Sequence, residues 1–447
     1  MRKIKEATVA NVFYSGDVED LQLHIESFKQ NSKNLYTYRT RAVIVPHAGL
    51  TYSGRLAYEG ISQIDKNVKN IFIFAPSHRV GFDGIAISSY DAWRTPLGIT
   101  DVNQQICSEL FNNFGAKIND DAMLNEHSIE VELPIIQSLF SDVRIIPVLI
   151  GKENPEVIRD IIAAYYGNPD NAFVISSDLS HYLTNETAKE TDKITAQMIE
   201  SGNISGFRYE QACGAIAIAG LVNFANNNNF SMIRIDMANS AEVSDDPSRV
   251  VGYGTWFLYE GNKNDFIAKY HPAFVIDICK LIIKSEFDEK PLSIIYPQVF
   301  DEFGACFVTI EKNGQLRGCI GSMVAYRPLI TDLVEHAKDA AFKDMRFSPV
   351  TEDELPELKF AVSILTEPER VVFETEEQMM NNIVPYDDGI IIRDGDYQAV
   401  YLPSVWEEIS DKREFMRSLK VKAGLAPDYF SNTFEVYKFH TIYIKEQ

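Results

Sequence analysis

Residues 41–49 read RAVIVPHAG, a short apolar run that ends in proline, histidine and glycine. The β-branched residues mark a buried strand, and the run is too short for a helix. Similar runs are NIFIFA (70–75), GIAIS (84–88), RIIPVLIG (144–151) and AFVIS (172–176). Between them lie amphipathic stretches with helical spacing: VNQQICSELFNNF (102–114), IEVELPIIQSLF (129–140) and ETAKETDKITAQMIESG (186–202). Strand and helix in alternation predict an α/β domain with a mainly parallel sheet covered by helices on both faces. The strand-like VGYGTWFLYE (251–260) closes this part. The polar patch GNKNDF (261–266) marks a boundary, giving domains over 1–262 and 268–447.

The second part opens on a helix, PAFVIDICKLIIKSEF (272–287). ACFVTIEKNGQLRGCIGS (305–322) then carries Asn313-Gly314, a hairpin signal between alternating residues. A helix over 327–342 follows, then FAVSILTE, GIIIRDGDYQAVYLP and a final strand FEVYKFHTIYIK. This pattern predicts α+β architecture with a largely antiparallel sheet.

The bulk numbers narrow the function. With 447 residues the chain exceeds one ordinary core. Its 45% hydrophobic and 24% charged content is that of a globular protein, and no apolar run reaches the length of a membrane span. The net charge of −22 opposes binding to nucleic acid or an anionic membrane. Five scattered cysteines, with no CxxC pair, argue for a reducing, cytoplasmic setting, and no apolar leader follows the basic start.

The chemistry-bearing residues fall where strands end. His47 follows RAVIVP, His78 follows NIFIFAPS, and Asp178 and His181 follow AFVISS. In a parallel sheet these loops meet at one edge, outside the carboxyl ends of the strands. Cys213, in QACGAIAIAG, stands at the start of a small apolar helix, where dipole and free amides favour a thiolate. His127, in NEHSIEVELP, begins another helix and completes the group. Taken singly, each is an ordinary residue: a hydrogen-bonded histidine, a core cysteine, an Asp cap. Taken together, two imidazoles and an anionic donor suit a catalytic metal site with open positions. Two histidines with a carboxylate suggest non-haem iron, and with a thiolate they admit iron, zinc or copper. A metal-free alternative uses Cys213 as nucleophile, His47 or His181 as base and Asp178 as orienter.

The motifs VPHAGLTYSG, FAPSH, TPLG, EHSIEVELP, SSDLSHY and ACG occur in the order found in the Memo-like family, which resembles class III extradiol dioxygenases in fold. The resemblance covers roughly residues 5 to 262. It implies a metal pocket with His47, His78 and Cys213 as ligands, iron being the first expectation and zinc or copper the alternatives. Asp178 and His181 would line the pocket, with His127 beside them. The dioxygenases carry a glutamate where Cys213 stands, so catechol ring cleavage does not carry over. LRGCIGS (316–322), AAFKDMRFSPVTEDELPEL (340–358) and YLPSVWEE (401–408) resemble the AMMECR family from about residue 268 onward. The two together resemble proteins B and A of the AmmeMemoRadiSam system, which implies a radical SAM partner. The expected function is a metal-dependent redox enzyme acting on a small molecule or peptide, the alternatives being a Cys/His hydrolase or transferase and a peptide-binding scaffold. In the second domain Arg317, Cys319 and Arg346 are the candidate binding residues, Arg317 offering a planar fork for a carboxylate or phosphate. An Asp344–Arg346 ion pair that fixes a loop is the competing reading.

Overall fold

A computed structural model of the chain describes residues 2–244, 246–288 and 293–446. They divide into two compact units, one reaching to Lys263 and including Pro297–Val299, the other formed by Asn264–Tyr296 and Phe300 onward.

The first unit is a mostly parallel mixed sheet with helices. Its centre is built from β1 (Ala42–Val45), β2 (Asn70–Pro76), β3 (Ile85–Ile87), β4 (Arg144–Ile150), β5 (Asn171–Ser176) and β6 (Val250–Tyr259). The spatial order β4-β2-β5-β1-β6 places β1, β2 and β5 side by side. These three and β4 run parallel, with Val43 opposite Val174 and Phe72 opposite both Ile146 and Phe173. Every residue of β1, β2 and β5 is buried, as covering on both faces requires. Two expected strands depart from the parallel pattern. β3, the GIAIS run, pairs antiparallel with β4, and β6 pairs antiparallel with β1.

Helices α1 (Leu50–Ser62), α2 (Pro155–Tyr166) and α3 (Ala215–Asn227) cover the sheet. Asn154 caps α2 and Pro155 opens it, where a missing N–H costs nothing. α3 is apolar all round and nine of its residues are buried, so hydrophobic burial rather than amphipathicity fixes it. The expected helix over 129–140 is split into a 3₁₀ turn, Glu130–Glu132, and an α-helix, Leu133–Leu139. Pro134 is the reason: it fits the first turn of a helix and disrupts an interior. The polar patch 261–266 is not all loop, because a short helix begins at Lys263.

The second unit contains α4 (Pro272–Asp288), β7 (Ala305–Lys312), β8 (Gln315–Gly321), α5 (Leu329–Phe342), β9 (Leu358–Leu365), β10 (Gly389–Asp394), β11 (Tyr397–Tyr401), β12 (Glu435–Phe439) and β13 (Thr441–Lys445). The β7–β8 hairpin turns on Asn313 (φ +54°) and Gly314 (φ +77°), the left-handed pair of a type I′ turn. Instead of one sheet there are two antiparallel ones of four strands each among the described residues. The run FEVYKFHTIYIK changes sheet at His440. There its N–H donates to Thr366 Oγ1 and its carbonyl accepts from the Thr366 N–H, both at 2.9 Å. β12 joins β10, while β13 joins β9. No helix among the described residues is long and apolar enough to cross a membrane.

Candidate metal centre

Three loops leave the same edge of the sheet because β1, β2 and β5 are adjacent and parallel. They carry His47, His78 and Asp178, and the buried segment 126–132 packs in with His127. His47, His78 and His127 each offer a ring nitrogen, and these nitrogens lie within 4.8 Å of one another. Ring centroids are 5.2 Å apart for His47–His78, 5.4 Å for His47–His127 and 4.7 Å for His78–His127.

His47 is buried, and its Nδ1 lies 2.8 Å from Ser176 Oγ. The Ser176 hydroxyl reaches the Ser128 carbonyl at 2.7 Å and Glu132 Oε1 at 3.0 Å. Burial pushes the Glu132 carboxyl well up from the usual carboxylate range. With its one hydrogen going to the Ser128 carbonyl or to Glu132, the Ser176 oxygen is left to accept from the His47 Nδ1–H. That turns the lone pair of His47 Nε2 towards the Cys213 sulfur, 3.3 Å away. Burial, with His78 and His127 beside it, holds His47 neutral well below the usual imidazole range.

Glu126 anchors the His78 ring and the backbone of His127 and Ser128. Its side chain is 0% exposed and accepts from the His78 N–H (2.6 Å), His78 Nδ1 (2.9 Å), the His127 N–H (3.0 Å) and the Ser128 N–H (3.2 Å). Burial alone would raise this carboxyl, but the adjacent His127 and His78 outweigh it and hold it far below the usual range. His127 Nδ1 comes within 3.1 Å of Glu126 but off the hydrogen-bonding angle, leaving this buried nitrogen without a partner. His127 also stacks on Phe13, with centroids 4.4 Å apart.

Cys213 Sγ lies 3.3 Å from His47 Nε2 and receives the Asp178 N–H at 3.3 Å. The mutually close donor atoms are the three ring nitrogens, and the sulfur stands beside them against His47. The helix start does not ionise it. Burial first, then the Asp178 carboxylate, push the thiol far up, and both outweigh the α3 dipole. Asp178 is buried, its Oδ1 accepts the His47 N–H at 2.8 Å, and burial raises its pKa against the pull of His181. His181 opens the short strand His181–Leu183, near enough for its charge to act on Asp178 and His47. The next residue, Tyr182, holds φ +58°.

The donor set suits a metal ion. Ring nitrogens His47 Nδ1 and His78 Nδ1 are bound to a hydroxyl and a carboxylate, the outer-shell arrangement that orients imidazole ligands. A buried orphan nitrogen on His127 and a buried anion at Glu126 complement a cation.

Glu126, Ser176 and Glu132 were not singled out by the sequence reading, although all three lie inside its motifs. The available signal was three glutamates, 126, 130 and 132, in a stretch that packs as core. Glu130 pairs with buried Lys5 at 2.6 Å and also accepts from Tyr14 and the Thr8 and Val9 N–H groups, tying the N-terminal strand to this segment.

In the second unit Arg317 does not present a free fork. It bonds both oxygens of Glu354 (3.1 and 3.0 Å) and the carbonyls of Ser348 and Pro349 (2.8 and 3.3 Å), with 12% of its side chain exposed. Arg346 pairs with Asp344 at 2.7 Å and donates to the Cys319 carbonyl, while Asp344 accepts the Cys319 N–H. These contacts form a loop clamp. Cys319 is half-buried, with its sulfur 3.4 Å from Thr309 Oγ1.

The profile of the Memo-like protein family matches residues 5–257, and that of AMMECR1 matches residues 276–444. A MEMO1 family protein of Aquifex aeolicus is 30% identical over 271 residues, 57% of this chain and 100% of its own. Another, from Thermoplasma volcanium, is 30% identical over 263 residues, 56% of this chain and 97% of its own. Protein MEMO1 of Xenopus laevis is 34% identical over 194 residues, 40% of this chain and 63% of its own. The crystal structure of an uncharacterized Pyrococcus horikoshii protein is 31% identical, covers 38% of this chain and 88% of that one, and has a TM-score of 0.36. By the match that runs through its first unit, the chain belongs to the Memo-like family, and it carries an AMMECR1 domain behind the Memo-like one.

Proposed function

We propose that the first unit holds a metal ion and works as a metal-dependent oxidoreductase on a small molecule or peptide, with a radical SAM protein as its partner. One observation carries the reading: three imidazoles from separate chain segments converge, two of them with Nδ1 already held by buried groups. His47 and His78 hold the ion, and the third donor is His127, by mutual distance, or Cys213, by its contact with His47 Nε2. Iron suits either set, with zinc and copper as the other candidates. A bound ion supplies Lewis-acid or one-electron chemistry at an open position. The chain's own groups do the rest. Ser176 and Glu132 fix the His47 tautomer, Glu126 fixes His78, and the buried Asp178 stands beside the cluster as a proton acceptor or donor. The AMMECR1 domain presents substrate or partner, and its fusion keeps the two modules at high effective concentration. The radical SAM partner rests on the paired-domain resemblance.

Metal-free nucleophilic catalysis by Cys213 is disfavoured, because burial and Asp178 keep the sulfur protonated. Elemental analysis of protein purified without added metal tests the proposal. Bound iron, zinc or copper is expected, and it should be lost in His47→Ala and His78→Ala. Comparing Cys213→Ser with His127→Gln identifies the third donor as the one whose loss releases the ion. Protein that contains none of these metals and takes up none would overturn the reading.

A further inference from the structure

Beside Cys213 the first unit forms a half-open cavity of about 540 Å³. Its walls are the end of β2, the loop 80–83, the end of β4 and the stretch 209–217 leading into α3. None of the three histidines lines it; Cys213 does, and its sulfur lies 3.3 Å from His47 Nε2. The thiol is therefore the partition between the cavity and the imidazole cluster.

We propose that this cavity is the substrate pocket of the metal centre and takes a neutral organic molecule with an aromatic or aliphatic body, its reactive end against Cys213. The inference rests on the reading of the cluster as a metal centre. Position supports it, since the cavity opens outside the carboxyl ends of β2 and β4, where parallel sheets bind ligands. Size supports it too, falling within the roughly 300–1,000 Å³ of small-molecule pockets. The chemistry of the walls sets the ligand class. Val80, Phe82, Ile150 and Ile216 give apolar contact, and the two charged lining residues, Lys152 and Asp83, are both exposed and of opposite sign. Such a mouth carries no net charge to select an ion. The walls are also preformed: a side chain at Gly151 would collide with the Phe82 carbonyl, and one at Gly214 would come within 2.6 Å of Ser177 Cβ.

The probe is 4-fluorophenol, followed by fluorine NMR line broadening on the full chain after chelator treatment. Saturable broadening is expected. Ile216→Trp and Val80→Trp each add bulk at a lining position on a different chain segment, and each should weaken binding by about tenfold or more. The ionic analogues 4-fluorobenzoate and 4-fluorobenzylamine should bind more weakly than the phenol. Absence of saturable binding to the parent chain overturns the proposal. So does binding unchanged in a tryptophan variant that keeps the parent unfolding temperature, or an ionic analogue that binds as tightly. The assay needs no metal, so its failure leaves the elemental analysis standing, and an empty metal analysis leaves a positive binding result standing.

Discussion

Replacing Glu126 with glutamine changes one atom and tests the architecture of the proposed metal centre. The carboxylate accepts four N–H groups through two oxygens: Oε1 serves His78 Nδ1, His127 N and Ser128 N, and Oε2 serves His78 N at 2.6 Å. Glutamine keeps one oxygen and turns the other into a donor. Its best orientation leaves the oxygen at the three-donor corner and faces an NH₂ against the His78 N–H. At least one short charge-assisted bond is lost, about 1.5–3 kcal/mol. Removing the charge weakens the others, for a total of about 3–5 kcal/mol, the range for breaking a buried pair. Metal affinity should fall by about 10–100-fold as His78 loses its anchor. Urea unfolding of metal-free protein reads the first quantity, and competition against a chromophoric chelator reads the second. Because the folded carboxyl is held far below its unfolded value of about 4.3, its stabilisation is complete above that pH and is lost only as pH falls through the lower folded value. The stability gap contributed by Glu126 should thus be flat from pH 5 upward. E126Q protein with parent stability and parent metal affinity would refute the claim that this carboxylate anchors the His78 ring and the His127 backbone.

Two further predictions concern groups away from the cluster. Asp192 is buried, accepts the Ser180 N–H at 3.0 Å, and is raised by burial to about 6. The folded state therefore binds the proton more tightly than the unfolded one, and stability should fall as pH rises from about 4 to about 6. Asp192→Asn should gain up to about 3 kcal/mol at pH 7 and almost nothing at pH 4, read by paired denaturant curves. A pH-independent difference would contradict it. Arg317→Met removes the clamp on Glu354, Ser348 and Pro349, costing about 1.5–3 kcal/mol and speeding proteolysis within 343–357. It also frees Glu354, now held at about 2 by its bonds from Arg317 and from the Thr351 N–H, so the parent's extra stability should disappear as pH falls from about 4 towards 2. Unchanged proteolysis would show that Arg317 does not organise that loop.

Chain-local information determined the alternation of short buried strands with helices, and so the mostly parallel sheet of the first unit and the antiparallel pairing of the second. It also determined that His47, His78 and Asp178 leave the ends of strands, because a run such as RAVIVPH shows both the strand and its stop. Tertiary structure decided the rest. The order β2-β5-β1 makes those loops neighbours, and the fold of 126–132 brings the His127 ring beside those of His47 and His78, with Cys213 on the far nitrogen of His47. It pushed the Glu126 carboxyl down and the Glu132 carboxyl up, although the two are six positions apart in one motif. It also bound Arg317 to Glu354 where the motif suggested a free fork. The reason is physical. Periodicity reports which face of an element is apolar, a property of neighbours in the chain. Protonation and hydrogen bonding depend on desolvation and on partners that arrive from distant segments.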